Sequence, residues 1–334
     1  MVYRWEVHMQ ASRLRSLAAI AALLSVCSAQ AAGPGQPYPN RPMRLVVPFA
    51  PGGTVDIIGR IVAAKLSERL GQPIVVDNRG GANSMIGSEI VARASPDGHT
   101  LLIVAAGFAV NPSLQRNMPY DTERDLVPIG LLGNSFYVMV IHAGIPANTV
   151  SEFIAWAKSR PGQVNYASTG LGSPPHLAAE LFKISAGVDM THIPYKGGGA
   201  LMPDLLAGRI ATFFGTMATV APHVHSGKLR ALAVSTAKRA TTAPELPTFI
   251  ESGLAGYEVA GWYGLLAPGK TPRAIVNRLD TELRAVLDEA DSKERFLKHG
   301  MEVEHKSAAA FAALIRSEIA KWQKVVRRAG IKPE

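Results

Sequence analysis

The sequence predicts an α/β protein of two lobes, each a mostly parallel sheet flanked by helices. Three observations predict it. Short apolar runs without polar alternation succeed segments of helical period, the pattern of a sheet covered on both faces. Gly- or Pro-rich turns punctuate the junctions. The 334 residues, 47% hydrophobic and 18% charged, hold enough such pairs for two cores.

The elements follow in order. Pro34 to Pro42 leads into a strand over 44–49. After Pro51-Gly52-Gly53, apolar residues recur at Ile57, Ile58, Ile61, Val62, Leu66 and Leu70, a helical spacing that Gly71 stops. Residues 73–77 read as the next strand. Gly80-Gly81-Ala82-Asn83 turns into a helix near 84–94, and Ser95-Pro96-Asp97-Gly98 into a buried strand at 99–104. Further strands are expected at 126–132, 137–141, 164–167, 191–195, 210–214 and 229–235, with helices at 151–159, 175–185 and 200–207. Thr271-Pro272 opens a helix with Ile275, Leu279, Leu283 and Val286 on one face. Ser307 is expected to cap the last helix, which carries Phe311, Leu314, Ile315, Trp322 and Val326.

The beginning of the chain reads as an export signal. Arg13 and Arg15 precede the apolar stretch Leu17 to Val26, and Ser28-Ala29-Gln30-Ala31-Ala32 follows, with cleavage expected after Ala31. The stretch is about half of what a bilayer span needs. Translation from Met9 would give a tidier signal than from Met1. Cys27 is the only cysteine, and Val26 before it argues against lipid attachment. A mature chain beginning at Ala32 would have no disulfide, thiolate nucleophile or cysteine-held metal. The net charge of +9 and pI of 9.7 are spread along the chain without a dense basic run or interleaved aromatics, so nucleic acid is not the expected partner.

No catalytic constellation emerges. The chain has no P-loop, Gly-x-Ser-x-Gly elbow, His-Glu-x-x-His or dinucleotide fingerprint. His223 and His225 stand two apart in what reads as a Pro-containing surface turn, and no metal or cofactor is expected. What recurs is a strand, a glycine-rich turn and a helix start: at Phe49 to Asp56, at Ser168 to His176, and at Tyr195 to Ala200. Helix N-termini present unpaired N–H groups and partial positive charge, and glycine lets an anion approach the backbone. Such turns sit at the carboxyl ends of strands, where α/β folds bind ligands. Ser173 reads as a helix cap. Asp56 would repel a carboxylate beside it; it either caps amides at the helix start or accepts from a ligand hydroxyl or ammonium. Tyr195 is placed either to fill core or to donate to a ligand.

At these same residues the sequence resembles the Bug-type substrate-binding proteins of tripartite tricarboxylate transporters. The resemblance runs from about Tyr38 onward. It is carried by Pro48-Phe49-Ala50-Pro51-Gly52-Gly53-x-x-Asp56, Val76-Asp77-Asn78, Ser95-Pro96-Asp97-Gly98 and Asn165-Tyr166-Ala167-Ser168. Pro194-Tyr195-Lys196-Gly197, Gly227 to Val234 and Trp262-Tyr263-Gly264 complete it. It implies a periplasmic, type II-like binding protein that closes like a flytrap on its ligand, with residues 32–135 and 262–334 in one lobe and 136–261 in the other. It also implies a small organic carboxylate or acidic amino acid as ligand and membrane permease subunits as partners; a monomer is the default expectation for the chain. The candidate ligand residues are Phe49, Ala50, Gly52, Gly53, Thr54 and Asp56 from the first turn and Ser168, Thr169, Gly170, Ser173 and His176 from the second. Tyr195 and Gly198 come from the third. The chain departs from the family's pattern at Gly215-Thr216, where relatives often carry Asp or Asn, and at Asn83-Ser84-Met85-Ile86, where they are richer in glycine. Di- and tricarboxylates, acidic amino acids, nicotinate-like rings and aromatic acids all stay open as ligands. A sensor presenting its closed form to a receptor, or an enzyme on an organic acid, are the alternative roles.

Overall fold

The buried apolar runs that open the chain pair in parallel. β1 (Met43–Val47) lies between β2 (Ile74–Asn78) and β3 (Thr100–Ala105). The computed structural model describes residues 38–49, 51–195 and 198–333; the expected signal segment with Cys27, and Ala50, lie outside them. The chain divides after Asn40, and the fold is that of the unit beginning at Arg41. Helix α1 (Thr54–Leu70) buries Ile58, Ile61, Val62, Leu66 and Leu70 and ends on Gly71 in the left-handed conformation, φ 67°. Helix α2 (Met85–Ala92) returns the chain to β3, and a 3-10 turn leads to the short α3 (Asn111–Leu114).

The centre of the sheet is antiparallel, where a mostly parallel sheet was expected throughout. One 17-residue strand, β4 (Leu126–His142), replaces the two strands read at 126–132 and 137–141. Gly130 and Gly133 sit at bulges, where the register against β9 slips at Pro128/Gly130 and Leu131/Gly133, and Asn134 and Ser135 continue the pairing in regular register. At Gly133 the backbone of Glu302 comes so close that a Cβ would lie 2.3 Å from its carbonyl oxygen.

Beyond β4 the α/β alternation resumes through α4 (Val150–Lys158), β5 (Val164–Ser168), α5 (Pro174–Ala186), β6 (Met190–Pro194), α6 (Gly198–Leu206), β7 (Thr212–Thr216), α7 (Met217–His225) and β8 (Leu229–Val234). α7 was not expected. Pro222 within it suggested a turn, so His223 and His225 lie in a helix rather than a turn. β9 (Ala260–Pro268) then runs back beside β3 and β4. Helices α8 (Arg273–Asp288) and α9 (Ala290–Lys298), strand β10 (Glu302–Ser307) and helix α10 (Ala308–Arg328) complete the chain. Ser173 and Ser307 stand at the N-cap positions of α5 and α10, but neither side chain makes a capping bond.

The sheet order is β2-β1-β3-β9-β4-β7-β5-β6, with β8 and β10 also paired to β4. Residues 126–136 of β4 pair with β9, and residues 137–141 with β7. β4 therefore joins two halves of the sheet, each with its own core. Val46, Leu102, Phe108 and Trp262 centre one, with Phe311 edge-on to Trp262 at 5.4 Å. Phe153, Tyr166, Phe182, Phe214 and Phe249 centre the other. α10 belongs to both: Phe311 and Ile315 enter the first core, Trp322, Val325 and Val326 the second. No helix among the described residues is long and apolar enough to cross a membrane.

Close packing between α10 and β9 makes a sharp test of this arrangement. A Cβ on Gly264 would lie 2.2 Å and 2.3 Å from two ring carbons of the fully buried Phe311, and 3.1 Å from the Gly130 carbonyl oxygen. The ring cannot yield without disturbing Trp262. Gly264→Ala is expected to cost about 2–3 kcal/mol in urea unfolding, as overpacked cores do; an unchanged midpoint would mean that α10 is loosely docked.

Candidate ligand-binding site

The first glycine turn is fixed by a buried carboxylate. β1 ends at Val47, and α1 starts after Gly53, which no side chain caps. Gly52 adopts φ +83°, and a Cβ there would meet nothing within 4 Å, so the turn's outer side is open. Asp56, 3% exposed, sits in the first turn of the helix. Its Oδ2 accepts from the Gly52 amide at 2.9 Å and Arg60 Nε at 3.0 Å, and its Oδ1 accepts from Asn78 Nδ2 at 2.9 Å. Asn78 Nδ2 also donates to the Phe49 carbonyl at 3.1 Å, and Arg60 donates to Asn78 Oδ1 at 3.1 Å. Burial alone would raise the Asp56 pKa, but the bonds from Arg60, Gly52 and Asn78 hold it below the usual aspartate value. Both carboxylate oxygens are occupied from within, so Asp56 shapes the turn that Phe49, Gly52, Gly53 and Thr54 build.

The second turn is held by a pair of stacked imidazoles. Ser168, fully buried at the end of β5, bonds both ways with Gly170: its Oγ donates to the Gly170 carbonyl at 3.0 Å and accepts from the Gly170 amide at 3.1 Å. The same oxygen lies 2.6 Å from His192 Nε2 on β6. His176, on the first turn of α5 and 2% exposed, accepts the Gly172 amide on Nδ1 at 3.0 Å. The two imidazoles stack with centroids 4.0 Å apart, beside Tyr166. Ser173 turns its hydroxyl to the Gly170 carbonyl at 2.7 Å. Gly170, φ +133°, faces open space as Gly52 does, and Thr169 lies beside it.

In the third turn Tyr195 uses its amide on the Ser168 carbonyl at 3.0 Å and its hydroxyl on Asp204 at 2.7 Å. Arg209 completes that arrangement at 2.8 Å from Asp204. Gly198 begins α6.

Two adjoining cavities bring the turns together. One, about 440 Å³, is lined by Phe49, Pro51, Asn78, Gly81, Asn83 and Ser84. The other, about 280 Å³, is lined by Asn83, Leu114 and Gln115 from one half of the sheet and by Thr169, Gly170, Leu171 and Ser173 from the other, with Lys332. Asn83 belongs to both. Gly52, Gly53, Thr54, Ser168 and Tyr195 are not among the lining residues, and His176 and Asp56 stand behind the turns rather than in the walls. The halves approach closely here: a Cβ on Gly172 would lie 2.2 Å from Leu114 Cδ1.

Sequence reasoning missed much of this surrounding structure. Ala82, Asn83 and Ser84 have φ of 45°, 48° and 73°, a left-handed run that L residues rarely sustain. Fully buried Asn111 holds it: its Nδ2 donates to the Asn83 carbonyl at 2.9 Å, and its Oδ1 accepts from Asn83 Nδ2 at 2.6 Å. Asn83, tolerant of left-handed backbone, was the available signal; Asn111, Leu114, Gln115, His192 and Lys332 gave none. Among the described residues no cluster of His, Cys, Asp or Glu is placed to hold a metal ion.

These turns of neutral donors match a known class of proteins. Residues 58–331 match the family described as "Tripartite tricarboxylate transporter family receptor". Protein BugT of Bordetella pertussis is 36% identical over 95% of this chain and 98% of its own length. The solved structure "R. palustris Rpa4515 with adipate" superposes with a TM-score of 0.76 at 36% identity, covering 89% of this chain and all of the other. That of the periplasmic binding protein BugD gives 0.73 at 35% identity over the same shares. The chain belongs to the tripartite tricarboxylate transporter receptor family, as a Bug-type solute-binding protein.

Proposed function

We propose that this protein captures a small organic carboxylate, acidic amino acids included, between two lobes in the periplasm and presents it to integral-membrane permease subunits. The observation that carries this reading is the pair of open, glycine-bearing helix-start turns, at Gly52-Gly53 and Gly170, whose neighbours line adjoining cavities from opposite halves of the sheet. Asp56, His176 and Ser168 take up the Gly52, Gly172 and Gly170 amides and so fix the turns, whose remaining N–H groups can bind a carboxylate without a buried cation and return to water on release. The lobes are residues 32–135 with 262–334, and 136–261. β4 and β9 are the strands that join them, and ligand contacts on both sides favour the closed form. A monomer suffices for this task, and no cofactor or catalytic group is called for. Residues 1–31 serve as the export signal.

The test is binding to acids and to their neutral amides. At a hundred times its dissociation constant, a ligand adds about 2.7 kcal/mol of stability. A raised melting temperature with an acid, absent with its amide, is the expected result. Ligand-free protein that responds to no acid would sink the reading, and turnover of a bound acid would replace it with an enzymatic one.

A further inference from the structure

We propose that Leu114 is a closure pin: it docks in a socket at Gly172 of the second half of the sheet, and this docking positions the segment that shapes the cavity wall. The inference rests on the proposed capture of ligand between two closing lobes.

The pin belongs to the first half by chain and to the second by packing. α3 follows β3 and the 3-10 turn of the first half. Yet Val110 and Leu114, 2% and 9% exposed, are buried in the core that Phe153, Tyr166 and Phe182 centre. Leu114 reaches Gly172 in the second glycine turn, where a Cβ would overlap its Cδ1 and lie 3.4 Å from its Cγ. Gly172 has φ +69°, and its amide is the one that His176 accepts. The missing Cβ is the socket.

Between the two apolar residues stands fully buried Asn111, which holds Asn83 by its carbonyl at 2.9 Å and by its side chain at 2.6 Å. Asn83 lines both cavities. The five residues 110–114 thus carry both the contacts that join the halves and the bonds that shape the wall. Parting the halves withdraws Val110 and Leu114 from their core, at the usual cost of exposing buried aliphatic side chains, and frees the segment that carries Asn111. Pin and ligand therefore favour the same conformation, and the ligand has less of the closure to drive by itself. A methyl group added at 172, or side-chain volume removed at 114, weakens binding without removing an amide donor from either turn.

A double-mutant cycle on the mature protein, with Gly172→Ala, Leu114→Ala and both together, tests this. The probe is the straight-chain carboxylic acid that most raises the wild-type melting temperature. Gly172→Ala should weaken its binding about tenfold, mostly through faster release, and Leu114→Ala about fivefold. In the Leu114→Ala background the added Gly172→Ala should cost no more than about twofold, because the new methyl then has room. Ligand-free Gly172→Ala should also scatter X-rays as a more open molecule than the wild type, which strain confined to one turn would not produce. Equal losses in both backgrounds assign the effect to left-handed strain at residue 172 and overturn the pin, as does an unchanged ligand-free scattering profile. If the wild type binds no acid, carboxylate capture falls, and the scattering of ligand-free Gly172→Ala alone decides on the pin.

Discussion

Asp56→Ala is expected to abolish measurable ligand binding and to cost about 3 kcal/mol of stability, within the range for breaking a buried, hydrogen-bonded charge. The carboxylate is 3% exposed and receives Gly52, Asn78 and Arg60 together. Without it the Gly52 amide loses its acceptor and Asn78 loses one of two, so the turn is free to leave the conformation that places Phe49 and Pro51 in the cavity wall. Asp56→Asn is no rescue. An amide nitrogen in place of Oδ1 would face Asn78 Nδ2, donor against donor. Flipping Asn78 would then turn its oxygen away from Arg60 and its nitrogen away from the Phe49 carbonyl. Calorimetry and urea unfolding of both variants give the answer; wild-type affinity in Asp56→Ala would show that the turn holds its shape without the carboxylate. The Asp56 pKa is lowered on folding, so its stabilisation is present above the unfolded aspartate value of about 3.9 and is lost as pH falls below it.

The parts legible in the sequence are those that local chemistry dictates. Ile58, Ile61, Val62, Leu66 and Leu70 announce α1 because a helix with one buried face must repeat its apolar residues at that period. Gly52 and Gly170 announce the turns because their φ of 83° and 133° suit little else. The central strands were harder. β9 reads Ala-Gly-Trp-Tyr-Gly-Leu-Leu-Ala-Pro, in which Gly264 is required by the Phe311 ring, a residue nearly fifty positions away. β10 is Glu-Val-Glu-His-Lys-Ser at the edge of β4, only partly buried, and carries no apolar pattern at all. In the site, residues on the turns themselves could be named, whereas those that brace the turns could not. His192 reaches Ser168 only because β6 pairs with β5 in the register Tyr166↔His192. Asn111 reaches Asn83 from 28 residues away. Such bonds belong to the tertiary fold, and spacing along the chain does not encode them.

Acidification from about pH 6.5 to about pH 5 is expected to remove about 2 kcal/mol of stability through His176 alone, at about 1.4 kcal/mol per unit of pH. Burial first, then His192 and Lys183, push the His176 pKa down from 6.5 to about 3. Its Nδ1 must stay unprotonated to accept the Gly172 amide. The unfolded chain takes up a proton below about 6.5 that the folded chain refuses until about 3, so stability is full above that window and falls through it on acidification. Burial lowers the His192 pKa as well, with Glu180 opposing and Lys183 assisting, so it adds to the loss in the same direction. Facing the pair are Tyr166, whose hydroxyl donates to Glu180, and Lys183, 2.8 Å from the same carboxylate oxygen. Folded molecules at pH 5 still carry a neutral His176, so affinity measured on them should hold while stability declines. His176→Gln keeps an acceptor near Gly172 without titrating. Its unfolding free energy should start about 1–2 kcal/mol lower near pH 7.5, because the stack is lost and the acceptor is displaced. It should then fall less steeply than the wild type and meet it near pH 5. If both proteins lose stability with the same slope, His176 is not the group refusing the proton, and the second turn is braced by something other than a neutral imidazole.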